Sequence, residues 1–178
     1  MLDTNSFLLL DAARMGADII TAKELKTEFD SLYRGKSEVH LSSVSPYLFT
    51  IQHNTQFEDW YMQNGWGDAW GVMVFSERDL SSLVKHFRHF LMVQTEDKQE
   101  LYFRFYDPRV LRIFLPTCDE DQLNEFFGPV DYYVCEDEDP AFALTFTLKD
   151  GELKTERMPK EELIAFNPLP RKRRFSFF

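Results

Sequence analysis

Cysteine is nearly absent: the chain of 178 residues has only Cys118 and Cys135, and no CxxC pair. A disulfide framework is thereby excluded, and so sparse a thiol content fits a reducing compartment. Glycine is also scarce, at seven, and no GxxxxGK[ST], GxGxxG or GxSxG occurs. The phosphate-cradling loop, the dinucleotide fingerprint and the nucleophile elbow therefore fall away. No apolar run approaches the ~20 residues that a membrane helix needs. The short run Phe7–Leu10 is flanked by Asp3 and Asp11, with no basic segment before it, which argues against a signal peptide. A cytoplasmic protein with no membrane insertion is the expectation.

Positive charge is the next scarcity. Lys and Arg number 20 against 30 Asp and Glu, a net of −10. Four of those cations, Arg171, Lys172, Arg173 and Arg174, sit in the tail "RKRRFSFF"; without them 16 basic face 30 acidic side chains, a net of −14. A body so acidic repels a phosphate backbone, so no nucleic-acid partner is expected. The tail reads as a solvated end, with contact to an anionic surface as the alternative.

Apolar and aromatic residues are plentiful. Hydrophobic residues make up 44% of the chain and aromatics 16%, with 18 Phe, enough for a full core. "FLLLDAA" (7–13) and "SPYLFTI" (45–51) read as strands, and so does "AWGVMVFS" (69–76). Helices are predicted over "GADIITAKELKTEFD" (16–30), with Ile20, Leu25 and Phe29 facing inward, and over "TQFEDWYMQNGWG" (55–67). A third has Ser76 as its cap and Asp79 three residues on, with Leu80, Leu83, Val84, Phe87 and Leu91 as its buried face. "FLMVQTEDKQELYFRFY" (90–106) reads as a hairpin turning around Glu96–Gln99. After residue 128 come strand, acidic turn, strand, an Asp150-Gly151 turn and strand. A final helix is predicted at 159–166, with Pro159 first. The fold class is α/β (α+β), a mixed β-sheet with packed helices plus a smaller C-terminal β-rich lobe. The division is a body over 1–128 and a lobe with the basic tail over 129–178.

The densest stretch is "LYFRFYDPRVLRIFLPT" (101–117). Leu101, Phe103 and Phe105 alternate with Tyr102, Arg104 and Tyr106 at strand period. Asp107 is placed to cap a helix starting at Pro108, with Val110, Ile113 and Phe114 inward and Pro116 as the stop. Thr117 and Glu120 have the spacing of a further capping box, and "GP" at 128–129 ends that helix. Arg109 and Arg112 are left over, because cations early in a helix oppose its dipole. They read either as ion pairs with surplus carboxylates or as partner contacts. "GWGDAWG" (65–71) reads as a core-anchoring turn; an exposed Trp66–Trp70 pair would instead suit a protein-binding hot spot.

Candidate chemistry is thin. His86 and His89 stand at i, i+3 on a helix, but no HExxH or cysteine pair accompanies them, and the "KHFRH" face reads as solvated. Cys118 precedes a helix, a place where a thiol pKa can fall. "EDEDP" (136–140) lacks the oxygen spacing and glycine of a calcium loop. No catalytic residue, metal or cofactor is assigned.

Seven segments in order carry a resemblance: "FLLLDAAR" (7–14), "SLYRGK" (31–36), "VSPYLFTI" (44–51), "NGWGDAWGVMVFS" (64–76), "LVKHFRHFLMV" (83–93), "LYFRFYDPRVLRIFLPT" (101–117) and "LNEFFGPV" (123–130). Together, over about residues 7–130, they resemble the domain of unknown function family 4123, whose members act as adaptor chaperones of the bacterial type VI secretion system. Arg34 stands where that family commonly has an acidic residue, and Ala12 where it commonly has glycine. The resemblance implies a non-enzymatic protein in the cytoplasm of a Gram-negative bacterium. It implies two partners, a cognate toxic effector bound through its N-terminal or pre-toxin region and the valine-glycine-repeat spike protein. Trp66, Trp70, Arg104, Tyr106, Arg109 and Arg112 are the residues expected to form or brace a partner surface. The rival expectations are an immunity protein or generic interaction module, and a hydrolase built around Asp107, Arg109 and His86.

Overall fold

Phe7, Leu8, Leu9 and Leu10 are all buried, and a strand pleat sends alternate side chains to opposite faces. Both faces of β1 (Asn5–Asp11) must therefore be covered, and they are. Phe7 and Leu9 enter one core; Leu8 and Leu10 enter the other. The computed structural model describes residues 4–26, 28–35, 40–51, 55–94 and 97–164. Among these, β1 lies inside a seven-stranded sheet ordered β2-β3-β1-β4-β7-β8-β9. The partners are β2 (Phe29–Ser31), β3 (Pro46–Thr50), β4 (Gly71–Ser76), β7 (Tyr132–Glu136), β8 (Phe142–Lys149) and β9 (Glu152–Pro159). Every neighbouring pair is antiparallel. Gly71 is required where β4 meets β1, because a Cβ there would come within 2.1 Å of the Leu9 carbonyl oxygen.

One face of the sheet carries α1 (Ala12–Met15), α2 (Asp18–Leu25), α3 (Thr55–Asn64) and α7 (Lys160–Ile164), which contribute Met15, Ile19, Phe57, Tyr61 and Leu163 to its core. The other face carries α4 (Leu80–Arg88), α5 (Pro108–Phe114) and α6 (Glu120–Phe127), with Leu83, Phe87, Leu111 and Phe126 inward. The architecture is α+β. Outside the main sheet stands a hairpin of β5 (Met92–Gln94) and β6 (Glu100–Tyr102), exposed at every position.

The β-rich segment after residue 128 is built onto the same sheet through β7 on β4, with Met73 opposite Val134. Its Asp-Gly turn forms as the sequence suggests: Asp150 and Gly151 have φ of 54° and 79°, the left-handed pair that a two-residue hairpin needs. The outer strand β9 carries Glu152, Lys154, Glu156 and Arg157 in exposed positions, charges that discourage further pairing along a sheet edge.

Several local expectations are corrected. The helix predicted over 16–30 stops at Leu25, and Phe29 lies in β2. Its inward face is Ile19 and Ala22, three apart, which turns Ile20 into solvent at 61% exposure. Asp79, not Ser76, caps α4 by accepting from the Ser82 amide; the Ser76 hydroxyl donates to the Pro129 carbonyl instead. Asp119, not Thr117, caps α6, in a reciprocal box with Gln122. In α5 the buried positions are Pro108 and Leu111, so Ile113, two residues beyond Leu111, faces out at 73%. The alternation from Leu101 ends at Tyr102, where β6 stops; Phe105 and Tyr106 are both buried in a turn. Pro159 closes β9 rather than opening α7. The tail cations Arg171–Arg174, and part of the turn between β5 and β6, lie outside the described residues.

Candidate partner-binding site

The end of the sheet where β1 finishes and β4 begins gathers most of the residues singled out in sequence. Asp11, wholly buried, caps α1 by accepting from the Ala13 amide at 3.0 Å and the Arg14 amide at 3.4 Å. Its other carboxylate oxygen takes the Arg104 guanidinium, and that bond raises the Arg104 pKa. Asp107, also buried, caps α5 through the Arg109 amide at 2.9 Å. The Arg109 guanidinium folds back on the same carboxylate as a two-pronged fork, Nε at 3.0 Å and Nη2 at 2.7 Å. Burial works against the Asp107 charge. Hydrogen bonds from the Arg109 side chain and amide, with the nearby Arg109 and Arg104 charges, outweigh it and hold the carboxyl below its ordinary value. An arginine early in a helix is thus tolerated because the cap beside it is its counter-ion.

Arg112 donates from Nη1 to the Glu136 carbonyl at 2.8 Å. The Glu136 side chain turns the opposite way, accepting from the Gly67 amide at 2.6 Å and the Ala69 amide at 3.1 Å. Burial pushes the Glu136 pKa up against those two amide bonds. Trp66 donates from Nε1 to the Pro140 carbonyl at 2.8 Å, and Arg14 donates from Nε to the Asp68 carbonyl at 2.8 Å. The loop 65–70 is therefore tied to both β7 and α1. The tight turn it makes puts Ala69 at φ 56°, a strained value for a residue with a side chain.

The six expected residues are engaged by other residues of the chain: Trp66 by the Pro140 carbonyl, Trp70 by the Trp60 ring, Tyr106 by the Phe105 ring, and the arginines by Asp11, Asp107 and the Glu136 carbonyl. Trp66 and Trp70 are each 7% exposed and Tyr106 is 3% exposed. They brace this end of the sheet and offer no open face. Burial, then the Asp11 charge, push the Tyr106 pKa up strongly. Arg104, Arg109 and Arg112 each have a partner within the chain.

In the rival hydrolytic set, Asp107 and Arg109 pair with each other and His86 is engaged elsewhere. Asp107 is held by arginines, whereas His86 bonds the Phe126 carbonyl at 2.9 Å through Nε2, which must carry the proton. His89 pairs with Glu125 at 3.2 Å. No group of three or more His, Cys, Asp or Glu among the described residues is arranged to hold a metal. Burial, then the Asp119 charge, raise the Cys118 thiol pKa, the reverse of nucleophile activation. Asp137 pairs with Arg157 at 2.6 Å in the acidic turn.

A second region, which the sequence reading passed over, is open. A shallow groove of about 480 Å³ runs between the 32–34 segment, the last turn of α4 and the β5–β6 hairpin. Arg34, Lys85, Arg88 and His89 line it, with no Asp or Glu among its described lining residues. Arg88 is fixed in place: it donates to the Ser31 carbonyl at 2.6 Å and the Leu32 carbonyl at 3.1 Å, and lies 3.6 Å from Asp30. Tyr33 and Tyr102 meet across one side, with ring centroids 6.1 Å apart. The signal in the sequence was two basic-aromatic patches, "LYRG" and "KHFRH", which the fold brings side by side. No helix among the described residues is long and apolar enough to cross a membrane.

No curated protein and no solved structure matches the chain. One family model does, over residues 6–125, a span that takes in β1 through most of α6 and so both faces of the sheet, the paired arginines and the groove. By that match the chain belongs to the family described as "Domain of unknown function (DUF4123)".

Proposed function

We propose that the chain is a non-enzymatic adaptor. It binds a specific toxic effector, through the effector's N-terminal or pre-toxin region, and loads it onto the valine-glycine-repeat spike protein of a type VI secretion system. It acts in the cytoplasm of the Gram-negative producing cell. The observation that carries the reading is the family membership over residues 6–125, since loading of effectors is what the resemblance to that family implies. The distribution of side chains supports it. Most of the buried charges serve the fold, while apolar and cationic side chains are left in solvent around β5–β6, where a protein partner can cover them.

Co-expression of a tagged chain with the neighbouring spike and effector genes tests the proposal. Both products should co-purify with the chain, and the effector should remain toxic once released. Failure to capture either protein would overturn the adaptor role. Capture that abolishes toxicity would point instead to an immunity protein.

A further inference from the structure

The groove beside β5–β6 combines two features that are rare in this chain. In a protein of net −10, its described lining carries Arg34, Lys85, Arg88 and His89 and no carboxylate; Arg88 and His89 have Asp30 at 3.6 Å and Glu125 at 3.2 Å beside them. Arg34 and Lys85 have no ion-pair partner among the described residues. Basic residues in the last turn of α4 do complement the helix dipole. That accounts for Lys85 and Arg88 singly, but not for Arg34, which lies on a different segment. Next to these cations stand apolar side chains out of the core. Met92 is 43% exposed, Leu101 48% and Tyr102 61%, on a two-stranded ribbon that pairs with nothing else among the described residues. The register sets Met92 opposite Tyr102 and Val93 opposite Leu101. Each face of the ribbon therefore shows an apolar pair.

We propose that this groove, lined by Arg34, Lys85, Tyr33, Met92 and Tyr102, is a docking site for an acidic, amphipathic segment of a partner protein. Charge complementarity selects that occupant. Carboxylates of the segment face Arg34 and Lys85, and its apolar side chains cover Met92 and Tyr102. The chain's own tail, with Arg171–Arg174, carries the wrong sign for the site. A second copy of so acidic a protein is repelled over most of its surface. The floor is rigid, because Arg88 ties α4 to the Ser31 and Leu32 carbonyls, so little ordering is needed on binding. The inference deepens the adaptor reading by naming the chemistry of one partner.

The test needs neither effector nor spike, so it fails separately from the adaptor reading. Short random peptides displayed on phage are selected against the immobilised full chain, and the enriched peptides are measured by fluorescence anisotropy. Enriched peptides should carry several Asp or Glu interleaved with Phe, Leu or Trp. The Arg34→Glu/Lys85→Glu double variant should weaken them by at least about 10-fold at low salt, with the difference shrinking as salt rises. Tyr102→Ser should weaken them without changing the salt dependence. Lys154→Glu, on the far strand β9, should leave binding within about 2-fold. Circular dichroism and thermal melting confirm that each variant is folded. No enrichment, enrichment of neutral or basic peptides, or undiminished binding to the double variant would overturn the proposal. So would a dimer in solution that Lys85→Glu dissolves, which would make a second copy the occupant.

Discussion

The sheet end around Asp11 and the groove beside β5–β6 both hold arginines and tyrosines, yet they use them in opposite ways. At the sheet end, Arg104 and Arg109 meet buried carboxylates that are already helix caps, and Arg112 meets a strand carbonyl. Removing one member leaves a buried group without its partner, the expensive way to disturb a network. In the groove, Arg34 and Lys85 face solvent, and Tyr102 covers only part of Tyr33. Losing one of them costs the fold little. A crowded motif in a sequence thus marks internal engagement first: Arg104 and Arg109 are held by buried carboxylates, while their side chains stay 42% and 51% exposed.

Four measurements break or sharpen that contrast. Trp66→Ala should have the largest effect on stability, a loss of about 3–5 kcal/mol by urea denaturation. It empties a ring site in the core and orphans the Pro140 carbonyl. A loss below about 1 kcal/mol would mean that the 65–70 loop is not structural. Asp11→Ala should cost about 2 kcal/mol, one part from the lost α1 cap and the rest from an Arg104 pair discounted for its solvent exposure.

The third measurement is a pH dependence. Burial holds the His86 pKa below its ordinary value of 6.5, against the Phe126 carbonyl bond that raises it. Between its folded value and 6.5 the unfolded chain binds a proton that the folded chain does not. Stability from this group is therefore full above pH 6.5 and is lost as pH falls toward the folded value. Thermal midpoints at pH 7.5 and pH 5.5 should differ more for the wild type than for His86→Gln; equal differences would remove His86 from the account. The smallest stability effect belongs to the groove. Tyr102→Ser should change stability by less than about 0.5 kcal/mol, while weakening the partner contact.

Much of the fold was legible because it rests on period and caps. "FLLL" reads as a buried strand and is covered on both faces, Asp107-Pro108 starts a helix as its cap and proline suggest, and Asp150-Gly151 turns as its conformational freedom requires. Errors came where two residue types compete for one local role. Ser76 and Asp79, and Thr117 and Asp119, are both able caps; the aspartates accept from the Ser82 and Gln122 amides, while the Ser76 and Thr117 hydroxyls donate to the Pro129 and Phe114 carbonyls. The placement of Ile20 and Ile113 failed because a short helix has one narrow inward face, and a one- or two-residue offset moves a side chain off it. The candidate surface was the least legible. Arg34, Lys85 and Tyr102 are distant in sequence, and no local pattern says that 31–34, the end of α4 and β6 converge.

Hydrogen–deuterium exchange on the chain, alone and in complex with the proposed effector partner, tests the central claim most directly. The expected result is new protection confined to the segments around 32–34, 85–92 and 100–102, with 104–112 already protected before binding. Absence of a complex, or new protection only at 65–70 and 104–112, would contradict it.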